Sequence, residues 1–264
     1  MKSSKSMSNS KKDKMMTFWS ERAIEYKSKP EANTNDIWLR EIEIDFVSNI
    51  IQKYQFKNIL DFGCANGFST LELLKRNNKC HFEGWDINAD MINVANESIK
   101  RKMSTHISFK RIDLLTEKNK LKFDFIYTIR VFQNMENFEI QKKIFDKLYL
   151  KLNNGGKFLY IESYASGYKE MNQDRLKLNL DLLPIHPHLT LLTSEFDKYV
   201  SSKMKSLKTA HLSSSYYLIT RLLYSYLAKI NQEKIDYNHP IHQIASKLPS
   251  IGKYGPQKAM LFQK

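Results

Sequence analysis

The passage from Lys57 to Arg76, KNILDFGCANGFSTLELLKR, constrains the fold more than any other. A short apolar run closes on Asp61, Gly63 and Gly67 follow four positions apart, and helical spacing begins at once. In an open α/β sheet, ligands bind at turns of this kind, where glycine lets the backbone approach and the helix N-terminus offers free N–H groups. Strand and helix signals then alternate. CHFEGWD reads as a second strand and NADMINVANESIKRK as a helix with Asn88 as its N-cap. HISFKRID and FDFIYTIR read as strands three and four, and residues 138–152 as a helix that stops at NNGG before a fifth strand, KFLYIES. DIWLREIEIDFVSNIIQKY predicts a helix leading into the first strand. This alternation predicts an α/β, doubly wound and mostly parallel sheet.

Three acids fall at successive strand ends. Asp61 closes the first strand. Asp86 closes the second, about twenty residues on, where a carboxylate accepts hydrogen bonds from both ribose hydroxyls. Asp113 closes the third, within reach of an adenine edge. A dinucleotide fingerprint needs Gly-x-Gly-x-x-Gly, and here the space reads Gly63, Cys64, Ala65, Asn66, Gly67, so the pyrophosphate cradle is missing. No Gly-Lys-Ser/Thr follows, which excludes a Walker loop. The remaining ligand is an adenosine without phosphates. With Asp61, Gly63 and Gly67 matching Asp-x-Gly-x-x-x-Gly, and Asp86 the acid ending strand two, the chain resembles the class I S-adenosylmethionine-dependent methyltransferases. That resemblance implies a Rossmann-like sheet with an antiparallel last strand, S-adenosylmethionine as cofactor and S-adenosylhomocysteine as product. It further implies cofactor contacts from Cys64, Ile87, Leu114 and Ile129 beside the motif residues and Asp113.

FWSERA, YTIRVFQNM, MNQDR, LSSSYYLITRLLY and LPSIGKYGPQKAMLFQK extend the resemblance. Together they are similar to a group of bacterial methyltransferases associated with capsule and surface-saccharide gene clusters. It implies substrate-binding roles for Arg130, Asn134, Asn172 and Arg175, and places His188 at the position of that group's histidine. Its flanking tryptophan and asparagine are replaced here by Pro187 and Leu189, so His186 remains an alternative. His188 is the expected general base for a hydroxyl acceptor, with Glu162 at the end of strand five as its rival. Arg130, Arg175 and Arg221 are expected to hold an anionic group on the acceptor, because guanidinium offers a fork that matches phosphate. Tyr216 and Tyr217 are expected to line the pocket. The segments 164–200 and 213–252 follow the cofactor half and are expected to cover it. The implied reaction is O-methylation of a phosphorylated or nucleotide-linked saccharide precursor. N-methylation of a small molecule, RNA methylation and non-catalytic cofactor binding are the alternatives.

Composition limits the other classes. A length of 264 residues fits one large domain, here expected over 17–264 after a disordered basic tail at 1–16. The net charge of +14 invites a nucleic-acid reading, but the lysines are spread over the chain. Amino-methylating enzymes of DNA carry Asn/Asp-Pro-Pro-Tyr/Phe at the end of strand four, where TIRVFQNM stands. No apolar run approaches a membrane span. Two cysteines and an N-terminus without a signal-peptide core lead to an expected cytoplasmic location. The histidines show no metal-ligand spacing, so no metal is expected.

Overall fold

A computed structural model describes residues 11–100 and 105–264. Its centre is a seven-stranded sheet in the order β3-β2-β1-β4-β5-β7-β6. These are β1 (Asn58–Phe62), β2 (His81–Asp86), β3 (Ile107–Arg111), β4 (Phe123–Ile129), β5 (Leu152–Ser163), β6 (Lys205–His211) and β7 (Gln257–Gln263). β1 pairs in parallel with β2 and β4, β2 with β3, and β4 with β5. β7 runs antiparallel to both β5 and β6, so the last strand is the reversed one, as expected. Asp113 lies two residues beyond β3 rather than on its last position. The helix expected over 138–152 ends at Lys151, just ahead of NNGG, but NNGG is itself part of β5, which begins at Leu152.

Both faces of the sheet are covered, which is why its inner strands read as continuous apolar runs. Successive residues serve opposite faces. Ile59, Phe125, Tyr127 and Ile129 belong to one core, with Ile44, Val47 and Ile51 of α2 (Ile37–Tyr54) and Leu73 and Leu74 of α3 (Phe68–Arg76). Leu60, Trp85 and Ile126 belong to the other, with Ile144, Phe145 and Leu148 of α5 (Phe138–Lys151) and Phe196 and Val200 of α7 (Ser194–Ser201). Side chains of this kind contribute about 1.5–3 kcal/mol each when fully buried. Caps fix the helix starts: Asp36 accepts from Leu39 N–H in α2, Asn88 from Met91 N–H in α4 (Ala89–Glu97), and Asn137 from Ile140 N–H in α5.

The N-terminal boundary differs from expectation. α1 (Lys11–Tyr26) is helical from Lys11, so residues 11–16 are not tail, while residues 1–10 lie outside the described residues. Trp19, Ala23 and Tyr26 of α1 pack with Met91 of α4. The segment after β5 forms α6 (Ala165–Lys177), and 214–230 forms one run of α8 (Ser214–Tyr217), a π-helical stretch (Leu218–Leu223) and α9 (Tyr224–Ile230). α10 (Pro240–Lys247), started by Pro240 behind the His239 cap, lies inside the 213–252 segment. Among the described residues no helix is long and apolar enough to cross a membrane.

Candidate cofactor and acceptor site

At the carboxyl end of β1 the backbone turns sharply, with φ of +80° at Gly63 and +73° at Gly67. A Cβ on Gly63 would meet Val131 at 2.4 Å, and one on Gly67 would meet Phe109 at 2.6 Å. Both positions therefore need glycine for conformation and for space. Asp61 is buried and accepts from the Thr70 hydroxyl at 2.6 Å, tying strand to helix; burial pushes its carboxyl up to about 6. Gly63 and Cys64 N–H donate to the Trp85 carbonyl at 2.7 and 3.1 Å, and Ala65 N–H donates to Asp86 Oδ2 at 2.9 Å. Asp86 Oδ1 accepts from Asn88 N–H at 2.8 Å. Burial raises the Asp86 carboxyl, and these backbone donors act in the opposite sense. The Cys64 thiol is buried and pushed well up by burial, which suits a small wall residue and not a nucleophile.

A cavity of about 440 Å³ opens beyond this turn. Asp61, Gly63, Cys64, Asp86, Ile87, Asp113, Leu114 and Ile129 all line it, so eight of the nine expected cofactor residues converge. Gly67 is the ninth: it caps α3 and stands behind the wall. The lining fits an adenosine without phosphates, because apolar Ile87, Ile112 and Leu114 flank the carboxylate of Asp86. Three buried polar atoms without partners, Asn33 Oδ1, Arg40 Nε and Ser69 Oγ, belong to residues lining the same cavity. A guanidinium and an amide oxygen suit the carboxylate and ammonium of a methionine tail.

Arg40 and Asn33 escape sequence reasoning because they precede the motif. Their signal is faint: Arg40 shares the buried face of α2 with Leu39, Glu43, Ile44 and Val47. Glu43, fully buried, accepts from Arg40 and Arg130 at 3.3 Å each, and from the Gln257 amide. One carboxylate thus serves two guanidiniums. Burial, with Arg130 nearby, pushes Arg40 down to about 10.

α1 lies across the opening. Lys12 pairs with Asp113 at 3.4 Å, Lys11 Nζ donates to the Leu189 carbonyl at 3.3 Å, and the Asn88 amide donates to the Met16 carbonyl and the Ser20 hydroxyl. The Asn66 amide donates to the Lys27 and Lys29 carbonyls at 2.8 and 2.9 Å, fastening the end of α1 to the glycine turn. Phe18 packs on His186 and His188, with ring centroids 4.8 and 4.6 Å away. His188 is 5% exposed, lines the cavity and has no partner on Nδ1. Burial, with His186 and Lys11 close, pushes its imidazole down to about 4. His186 also lines the cavity but is exposed. Asn134 donates through Nδ2 to the Arg130 carbonyl at 2.7 Å and leaves Oδ1 unpartnered at the cavity wall.

The other expected acceptor residues do not line this cavity. Glu162 is fully buried behind the loop after β4, where its two oxygens accept from the N–H groups of Val131, Phe132 and Gln133 at 2.8, 2.9 and 3.1 Å. It organises that loop, and no lone pair faces an acceptor; burial pushes its carboxyl up to about 7 against those three donors. Arg175 donates from Nε to the Asp181 carbonyl at 2.7 Å, and from Nη1 to the Arg221 carbonyl and the Ser225 hydroxyl. Arg221 is paired with buried Asp36 and lies over the rings of Tyr217 and Tyr237. Tyr216 donates to the same Asp36. The Asn172 side chain exchanges hydrogen bonds with the backbone of Leu183. Asn172, Arg175, Tyr216, Tyr217 and Arg221 stand away from the cavity, and of the two segments expected to cover it only His186, His188 and Leu189 of 164–200 line it and none of 213–252; Arg130 and Asn134 alone among the expected substrate residues reach the cavity.

A Rossmann-like sheet with an antiparallel β7, a glycine turn without a phosphate cradle and an acid at the end of β2 defines the class I methyltransferase architecture. The sequence pattern of a family described as "Methyltransferase domain" matches residues 55–233, and the chain belongs to that family. It shares 27% identity over 125 residues with malonyl-[acyl-carrier protein] O-methyltransferase 1 of Ilyobacter polytropus, 47% of this chain and 45% of that protein. The chain thus spans about half the length of the curated relatives it matches. Magnesium protoporphyrin IX methyltransferase of Synechocystis with bound S-adenosylmethionine superposes with a TM-score of 0.62 at 10% identity, covering 98% of this chain and 99% of that one. The N-methyltransferase NodS of Bradyrhizobium japonicum with S-adenosylhomocysteine gives 0.58 at 13% identity, covering 93% and 98%. These likenesses establish the fold of the S-adenosylmethionine-dependent enzymes.

Proposed function

We propose that the chain transfers the methyl group of S-adenosylmethionine to a hydroxyl of a small, sugar-derived acceptor bearing an anionic group. The reading is carried by one observation: His188 presents an unpartnered Nδ1 in the same cavity as Asp86 and Gly63. The bound cofactor would supply an electrophilic methyl carbon, with Asp86 on its ribose and Arg40 and Asn33 on its amino-acid tail. With its imidazole pushed down to about 4, His188 is neutral at pH 7. Nδ1 would accept the acceptor's O–H, aim the oxygen lone pair at the methyl carbon, and take the proton as the C–O bond forms and the methyl–sulfur bond breaks to leave S-adenosylhomocysteine. Phe18 and α1 keep water from the reacting atoms. Arg130, sharing Glu43 with Arg40, leaves uncompensated positive charge for the acceptor's anion.

The saccharide class rests on the resemblance carried by YTIRVFQNM, MNQDR and the C-terminal segment. A carboxylate acceptor is the second reading, because O-methylation of a carboxylate needs no base and the Arg40–Arg130 pair would orient it. Incubation with S-adenosylmethionine and a panel of nucleotide sugars, phosphorylated sugars and carboxylic acid thioesters tests both, read by mass as the gain of one CH2 with formation of S-adenosylhomocysteine. Turnover of a sugar that falls at least a hundredfold in His188→Ala supports the hydroxyl reading. Turnover confined to carboxylates and indifferent to His188 replaces it with the second. Cofactor binding without turnover of any acceptor would overturn both.

A further inference from the structure

Most of the positive charge behind the net +14 lies away from the cavity, and part of it is gathered at the opposite end of the sheet. There the loop before β4 lies beside the junction of α5 and β5. Lys122 Nζ donates to the Leu150 carbonyl, Lys151 Nζ to the Asn119 carbonyl, and Lys264 Nζ to the Tyr149 and Leu152 carbonyls at 2.9 Å each. Cations near the last carbonyls of a helix are favourable, which accounts for lysine at these positions. Carbonyls do not neutralise them. Among the described residues, Lys118, Lys120, Lys122, Lys151 and Lys264 form no ion pair with a carboxylate; Glu117 is the acid that bears on Lys151. Burial, with Lys122 close to both, pushes the amines of Lys151 and Lys264 down, as like charges crowded together require.

Two leucines stand among these lysines with no core to join: Leu121 is 42% exposed and Leu150 is 62% exposed. We propose that this end of the sheet is a docking face for an anionic lipid bilayer, with Leu121 and Leu150 entering the interface and the surrounding lysines meeting the head groups. Each lysine near such a surface contributes roughly fivefold to partitioning. Single basic residues bind weakly, whereas several beside exposed leucines bind measurably. A nucleic acid fits less well. The patch has no arginine, and its nearest aromatic ring, Tyr149, is covered by Lys264 Nζ at 4.4 Å, so nothing is offered to stack on bases or fork onto phosphates. β4, seven residues long, separates this face from the cavity by roughly 20 Å. A docked chain therefore opens its cavity away from the bilayer and meets its acceptor from the aqueous side.

Vesicle flotation with the full chain tests this without reference to turnover. Binding to phosphatidylglycerol-containing vesicles at low salt, and none to pure phosphatidylcholine, is expected. Lys118→Glu with Lys120→Glu reverses two lysines whose side chains make no hydrogen bond or ion pair among the described residues. That variant should lose at least roughly tenfold in lipid affinity. Leu121→Ser with Leu150→Ser should lose a similar amount while the thermal midpoint is unchanged, since both leucines are exposed. Absence of binding to anionic vesicles overturns the proposal. So does binding that ignores both variants and is lost in Lys2→Gln with Lys5→Gln, which would place the contact in the N-terminal segment. Tight binding of single- or double-stranded RNA, sensitive to the lysine variant and indifferent to the leucine variant in the absence of lipid binding, would make the partner a nucleic acid.

Discussion

Asp86 joins the glycine turn to α4 through Ala65 and Asn88 while leaving lone pairs toward the cavity. Asp86→Ala should abolish most of the thermal stabilisation given by S-adenosylmethionine at a fixed ligand concentration, since the stabilisation vanishes as Kd rises above that concentration. A shift equal to wild type, read by differential scanning fluorimetry, would remove Asp86 from the ribose contacts. Arg40 gives a second test. Arg40→Met keeps the volume and loses the guanidinium, so cofactor affinity should fall roughly tenfold to a hundredfold by calorimetry while adenosine affinity is unchanged. His188 has the sharpest pH signature. Its folded value of about 4 lies below the ordinary 6.5, so the neutral ring persists as pH falls. Catalysis that uses the neutral ring should stay level down to about pH 5 and decline toward 4, not near 6.5. The stability contribution has the same sign: it is full above pH 6.5 and is lost as the unfolded chain, but not the folded one, takes up a proton. Of these three residues, Asp86 was legible from the sequence because its spacing from the motif is fixed by one βαβ unit. Arg40 was not, because nothing local distinguishes a buried arginine from a surface one on the same helix.

The element scale shows why the first half of the fold was easier to read than its edges. Strands β1 and β4 and the second half of β5 are buried on both faces, so their apolar runs record tertiary structure directly in local sequence. α1 has no such record. Its lysines resemble a solvated tail, and its helical state depends on distant partners: Asn88 for Met16, Asn66 for Lys27, His188 for Phe18. Glu162 misleads in another way, since an acid at a strand end in a crevice resembles a catalytic base until its three N–H donors are seen. Glu162→Gln places an amide NH2 against one of those donors. It should cost about 2–3 kcal/mol by urea denaturation and disturb the loop that carries Arg130 and Asn134. A catalytic base would instead lose turnover at unchanged stability. Because its folded value is raised to about 7 from 4.5, the Glu162 contribution is fully present below pH 4.5 and is lost as pH rises through 7. In the glutamine variant that slope of stability between pH 5 and 8 should disappear.

At the scale of the whole molecule, the helical segment after β6 is fastened to the start of α2 by a buried ion pair that spans the chain. Asp36 caps α2 through Leu39 N–H, accepts from the Tyr216 hydroxyl and pairs with Arg221 of the π-helical stretch. Arg221 in turn offers its carbonyl to Arg175 of α6, which brings the two cover segments together. The task of these arginines could not be read from the sequence, because a guanidinium that binds substrate and one that binds Asp36 look alike without the fold. The two tasks separate under mutation. Breaking a buried pair strands a charge, so Asp36→Ala and Arg221→Met should each cost about 3–5 kcal/mol by urea denaturation. The double variant Asp36→Ala with Arg221→Met should cost less than the sum, because no unpaired ion remains. Arg175→Ala should lower stability through the lost Arg221 and Asp181 contacts. Its KM for the acceptor should stay near wild type at temperatures where it is folded. Arg130→Ala should instead raise the acceptor KM, while Glu43 keeps Arg40 and the Gln257 amide as partners. An Arg175 variant that folds as tightly as wild type yet binds acceptor poorly would instead return Arg175 to the acceptor site and require the cover to rearrange when the acceptor arrives.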